Sequence, residues 1–245
     1  MPLITATEVI NTAFTNRNTD TYLIKPSFIE IAELNHIKPN IGVKLYESLL
    51  STVNTPVACV FPAVSCGVTI NSNLITCAAN SNIAVGDFVT GPDIPSNAAG
   101  SINNGFYPAL CKVEEVFYFG GFVTSFTISG AATSTLAASP ITFERPNCKL
   151  INSYLKNYLA FCVKFEVLPD MTYNTTSQGV VELVAEFALP VSQRKLSFLR
   201  EETLKKSETY LRSMRLFIEN NCDVYPDYIN DNLGGVSKRG GIIIY

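Results

Sequence analysis

The sequence predicts an α+β fold, an α-helical bundle interrupted by an inserted small all-β domain, either a sandwich or a barrel. Apolar residues at helical spacing fill the first 54 positions and return after Pro146. Residues 55–145 instead carry short runs of Val, Ile, Thr and Phe separated by Gly, Pro, Asn and Ser clusters. Charge changes at the same seams. The middle segment holds two basic residues, Lys112 and Arg145, and five acidic ones, Asp87, Asp93, Glu114, Glu115 and Glu144, so sixteen of each sign remain elsewhere and the whole formal charge of -3 lies in the middle. The expected organisation is therefore N-terminal helices over 1–54, an inserted β domain over 55–145, long helices over 146–229 and an extended arm over 230–245. The insert is expected to fold independently of the helices and to be dispensable for them.

Two capping-box patterns, Thr5-Ala6-Thr7-Glu8 and Ser27-Phe28-Ile29-Glu30, signal helix starts, because a hydroxyl can take the N3 amide proton while the Glu reaches back. Pro39 opens a third helix, where its missing N–H costs nothing. In the insert, Gly67–Ile70, Asp87–Thr90 and Phe122–Ile128 read as strands, short enough to suit a compact sandwich or barrel with protected edges. A helix then runs from Ile151 to Leu168-Pro169 with apolar residues on nearly every side, so it should be the most buried. Asp170–Gly179 reads as a loop or a short hairpin. A second long helix starts near Pro190 and ends near Asn220, with Leu196, Leu199, Thr203, Ser207, Tyr210, Met214, Phe217 and Ile218 as its inner stripe. The end closes on Ile242-Ile243-Ile244-Tyr245 between and beyond two Gly-Gly pairs, as a strand either for the chain's own β domain or for another subunit's sheet.

Composition excludes several functions. The chain has 245 residues, 47% hydrophobic and 16% charged, enough for one or two sizeable cores. A near-neutral balance gives no basic field for holding nucleic acid. One histidine, His36, removes paired-imidazole chemistry and His-rich zinc sites; beside Lys38-Pro39 it is expected to interact with helix-end carbonyls. Seven cysteines, Cys59, Cys66, Cys77, Cys111, Cys148, Cys162 and Cys222, show no Cys-x-x-Cys and are expected to be reduced and metal-free. Val180–Val191, the most apolar run, is broken by Glu182 and Glu186, so no membrane span is expected. The N-terminus lacks the pattern of a secretory signal, which places synthesis in the cytoplasm. Phosphate-binding, dinucleotide-binding, nucleophile-elbow and calcium-loop motifs are missing, and no catalytic residue, cofactor site or metal site is expected. Glu114 and Glu115 should point to opposite faces of a strand, and Asp87 and Asp93, flanking Gly91-Pro92, should shape turns.

The order of helices, β insert and longer helices, ending in Asn220-Asn221-Cys222-Asp223-Val224-Tyr225-Pro226-Asp227-Tyr228, resembles the head-tail connector (adaptor) proteins of tailed bacteriophages. The opening Leu3-Ile4-Thr5-Ala6-Thr7-Glu8-Val9-Ile10, with Leu23-Ile24-Lys25-Pro26 and Ile31-Ala32-Glu33-Leu34, is similar to the versions in phages of Bacteroidetes, including the crAss-like group. Val85–Pro95, Ser129–Thr133 and Ile141–Phe143 look like a β-module that recurs in phage virion proteins. The resemblance implies an adaptor bundle in the virion, a homo-oligomeric ring, usually of twelve copies, beneath the portal protein and against neighbouring tail or ring proteins. DNA would pass through its lumen without specific binding. Arg212, Arg215, Lys238, Arg239, Ile242, Ile243, Ile244 and Tyr245 are the expected partner-binding residues. The competing expectations are a surface or host-binding β-module on a helical stalk, and an enzyme of unrecognised type.

Overall fold

The computed structural model describes residues 2–14, 20–55, 59–80, 82–95, 110–176, 179–182 and 193–228. The chain divides into two compact units, one of Met1–Asn54, Ile151–Met214 and Asp227–Tyr245, the other of Thr55–Leu150 and Arg215–Pro226.

In the first unit, α1 (Ala6–Ala13) starts with the expected capping box: Thr5 Oγ1 accepts from the Glu8 amide, and Glu8 accepts from the Thr5 amide at 2.8 Å. The second expected box does not form. Helix α2 (Pro26–Ala32) begins two residues earlier, after Lys25 and with Pro26 in its first turn, because proline's fixed φ already suits that position. It passes through a π-helical turn, Glu33–Ile37, into α3 (Lys38–Ile41), and Gly42 at φ 83° leads to α4 (Val43–Asn54). The helical stretch from Pro146 comprises α5 (Pro146–Leu150), which belongs to the second unit, then a π-helical turn Ile151–Leu155 and α6 (Lys156–Thr172) of the first. The expected stop at Pro169 is overrun, and α1 and α2 both pack on α6. His36 does not cap a helix end: its Nε2 lies 2.8 Å from Glu166 Oε1 on α6. The turn-rich piece is a hairpin whose strands are Tyr173–Thr176 and Gly179–Glu182. The long helix, Gln193–Asn220, has 28 residues, roughly 42 Å at 1.5 Å each. Leu196, Thr203, Ser207 and Met214 are buried along it, but Leu199 and Tyr210 of the expected inner stripe are exposed.

The second unit corrects the expected fold class. Its strands, β1 (Val60–Val68), β2 (Leu74–Asn80), β3 (Phe88–Thr90), β4 (Val113–Phe119), β5 (Phe122–Ile128) and β6 (Leu136–Glu144), make one curled antiparallel sheet in the order β3-β6-β1-β2-β5-β4. It is a half-barrel rather than a sandwich or a self-contained barrel, and the helices do not form a clear α-helical adaptor bundle around an insertion. Register shifts in the β1–β6, β2–β5 and β4–β5 pairings curl it, since each extra residue adds twist and bend. The two edges touch at one bridge, Phe88 with Lys112, where the Val89 amide donates to the Cys111 carbonyl at 2.9 Å. Ile75, Phe126, Ile141 and Phe143 fill the concave side, with the two phenyl rings edge to face at 5.4 Å. Segment 215–226 belongs to this unit, so the β part is not confined to 55–145.

Two buried polar centres hold the sheet's edge. Asp87, expected to shape a turn, accepts a forked contact from Arg145 Nη1 at 2.8 Å to each oxygen, and the guanidinium lies 4.8 Å from the centre of the Phe61 ring. Burial raises the Asp87 pKa, against the Ala84 amide and Arg145, which favour the carboxylate. Asp93 accepts from the Ser134 and Ser139 hydroxyls, at 2.5 and 2.6 Å, which lowers its pKa.

The expectation of seven reduced thiols is overturned, because Cys59 and Cys148 form a disulfide. Curling of the sheet brings the start of β1 to α5, although the two residues are 89 apart in sequence. On the chain-entropy account, closing a loop of that size stabilises the fold by about 4–5 kcal/mol. The other cysteines are free. Among the described residues, no helix is long and apolar enough to cross a membrane.

Two outcomes follow from these contacts. Thiol titration of denatured, unreduced protein should find five free thiols and, after reduction, seven; seven before reduction would refute the bridge. The second concerns Glu33, 3% exposed, which accepts from the Leu3 amide at 2.7 Å and the Tyr46 hydroxyl at 2.9 Å, and whose pKa burial raises above 4.5. A raised acid pKa means that the folded state binds the proton more tightly. Its favourable contribution is therefore complete below the unfolded value and is lost as pH rises through the folded one. Glu33→Gln should remove that loss, so denaturant midpoints of variant and wild type should diverge in the variant's favour as pH rises above 4.5. A pH-independent difference would refute the assignment.

Candidate functional site

The described residues form an open groove of about 790 Å³ in the β unit, between the start of β4 and the turn that follows the long helix. The turn is built from the sequence Asn220–Tyr228. Asn221, 1% exposed, sends its Nδ2 to the Phe217 carbonyl at 2.8 Å, accepts the Leu110 amide on Oδ1 at 3.1 Å, and accepts the Val224 and Tyr225 amides on its carbonyl. One side chain thus ends the helix and fastens it to the strand side. Tyr225 packs edge to face on Phe217 at 5.9 Å and donates its hydroxyl to the Pro146 carbonyl at 2.7 Å, while Phe217 meets Phe88 of β3 at 5.9 Å.

This turn places Asp223 against Lys112, with which it forms an ion pair. Burial lowers the Lys112 pKa, against the nearby carboxylate of Glu114. Glu114 and Glu115 line the same groove, contrary to the expectation from strand alternation. The pairing explains why: Val113 opposes Ile128 and Glu115 opposes Thr127, so Glu114 is the extra residue of a β-bulge. A bulge re-aims a side chain, and here both acidic residues are exposed and line the groove. Neither forms an ion pair among the described residues. Val85, Val113, Pro146, Val224 and Pro226 supply apolar wall between them.

Beyond the groove, β4 continues as a sheet edge that pairs only with β5 among the described residues. Phe117, Tyr118 and Phe119 are 44%, 64% and 80% exposed, and Phe122 across the turn is 49% exposed. Gly120 and Gly121, at φ 61° and 85°, make the tight two-residue turn between the strands, a backbone shape that residues with side chains resist. The feature is acidic at one end and aromatic at the other. Its only amine is already paired, its carboxylates are solvated, and its shape is open, so it suits docking of an extended segment better than proton transfer or nucleophilic attack. Among the described residues, no cluster of three or more His, Cys, Asp or Glu could hold a metal ion.

Of the residues expected to bind partners, Arg212 is exposed on the long helix and Arg215 is half-buried. Lys238, Arg239, Ile242, Ile243, Ile244 and Tyr245 lie outside the described residues. Sequence reading missed Lys112, Asp223 and the aromatic edge as a surface. The signal was the run Phe117-Tyr118-Phe119-Gly120-Gly121-Phe122, four aromatic residues around a Gly-Gly turn.

The profile of a family of unknown function (DUF6712) matches residues 122–237, from the start of β5 past the end of the long helix. No curated protein and no solved structure matches the chain.

Asn221→Ala should leave the Leu110 amide without its acceptor and the helix end loose, which costs about 1–3 kcal/mol. Urea denaturation should show the loss; a change below about 0.5 kcal/mol would mean that the turn holds without it.

Proposed function

We propose that this protein is a structural component of a phage particle, a ring-forming head-tail connector that sits beneath the portal protein and surrounds the DNA path. The observation that carries the reading is the sequence Asn220–Tyr228, which prompts the resemblance to adaptor proteins and which here forms the turn that fastens the long helix to the half-barrel. A motif of that kind serves assembly rather than reaction. The charge balance supports the same reading, because a strongly basic lumen would retain DNA by counterion release instead of letting it pass. Exposed Phe198, Leu199 and Tyr210 on the long helix and the aromatic edge of β4 provide apolar surface for heterologous, head-to-tail contacts, the type that closes into a ring.

A second reading, a surface or host-binding β-module on a helical stalk, is favoured by one observation, the exposed aromatic hairpin tip at Phe119 and Phe122. The readings part on mass. Purified protein, alone and mixed with its portal protein, should give by native mass spectrometry and negative-stain microscopy a closed ring of about twelve copies, the number that the resemblance implies. A monomer under both conditions that binds host cell surfaces would sink the connector and leave the second reading.

A further inference from the structure

We infer that the free edge of β4, with the groove at its start, receives the C-terminal segment Lys238–Tyr245 of a second copy of this chain as an added parallel strand. The inference rests on the ring reading for its setting and deepens it by naming one subunit contact.

The argument begins with what β4 lacks. The Val113 amide and carbonyl are already taken by Asp87 and Gly86, but from Glu114 on β4 pairs only with β5 among the described residues; an edge with three exposed aromatic residues is a template for pairing, and folded proteins cover or blunt such edges. Here two carboxylates, Glu114 and Glu115, stand at its start. They repel an acidic strand and penalise an apolar one, but favour a strand that brings two positive charges first. Lys238-Arg239-Gly240-Gly241-Ile242-Ile243-Ile244-Tyr245 has that pattern, with the basic pair ahead of the apolar four. Polarity fixes direction. With the basic pair at the acidic start, a parallel strand carries the apolar four along the aromatic stretch towards Phe119. The antiparallel alternative, with Arg239 at Glu114, would run Ile242–Tyr245 off the strand past Cys111.

Position agrees with sequence. Pro226 lines the same groove as Glu114 and Glu115, so the chain leaves the β unit beside the acidic end of the edge. Twelve residues separate Pro226 from Lys238, a reach of up to roughly 40 Å when extended, enough to arrive at an adjacent copy. Glu115–Phe117, between the two register shifts of β4, is regular, and both acids are among the residues that line the groove.

Charge reversal in the full chain tests it, read by light-scattering mass against concentration. Glu114→Lys with Glu115→Lys should weaken self-association at least tenfold, as should Lys238→Glu with Arg239→Glu, and the four changes together should restore it. Glu114 and Glu115 are exposed, and the thermal unfolding of each variant, followed by circular dichroism, checks that its fold is kept. Unchanged association in either pair, or no restoration in the combination, overturns the inference. A labelled peptide of residues 238–245 supplies a readout that needs no ring. It should bind a chain ending at Ser237, shown folded by circular dichroism, and not the same chain carrying the two Glu→Lys changes; no saturable binding overturns the inference. If the peptide binds the shortened chain while the full chain stays monomeric, the segment occupies its own β4 and the second-copy occupant is overturned. Rings that form despite the reversals would refute this contact and leave the connector standing. Peptide binding and pairing of copies without rings on the portal would do the opposite.

Discussion

The β unit depends on the buried side-chain amide of Asn221. It contributes a donor to the last turn of the long helix and an acceptor to the Leu110 amide, across 111 residues of sequence, while its own carbonyl takes two amides of the following turn. Without that closure the aromatic stack of Phe88, Phe217 and Tyr225 would have no fixed partner geometry. A buried amide that leaves one of its groups unpaired costs far more than a satisfied one contributes, so the helix end has little freedom to settle elsewhere. The sheet supplies one wall of its core and the far end of the chain supplies another.

That dependence explains which parts were legible from sequence. Helices such as α1 and the long helix were readable because their signals are local: a capping hydroxyl three residues before its glutamate, or apolar residues every third or fourth place. Ser27-Phe28-Ile29-Glu30 carried the same signal and was overruled by Pro26 one position earlier. Strands β3 and β5 were readable by composition, yet their arrangement was not. The pairing of β1 with β6 joins residues near 64 to residues near 141, and no local pattern encodes such a partner. The bridge between Cys59 and Cys148 escaped for the same reason, since an odd count of seven without close spacing gives no pairing rule. The acidic pair in the groove was seen and misjudged, because strict alternation fails at a bulge and the bulge leaves no mark in one sequence.

The docking surface combines features that would be hazards separately. An aromatic edge invites indiscriminate pairing, and two adjacent carboxylates discourage almost any strand. Together they select by charge first and by apolar fit second. On the proposed connector reading, selectivity of that order would keep like copies together without requiring a large interface.

The disulfide also bears on mechanics. Cys59 and Cys148 stand just inside the points where the chain enters and leaves the main β segment, so tension applied between Asn54 and Ile151 is carried across the sulfur–sulfur bond. The 89-residue span that holds all six strands is bypassed by that load. The hydrogen bonds between strands, which would otherwise unzip one after another, stay out of that force path while the bond is intact.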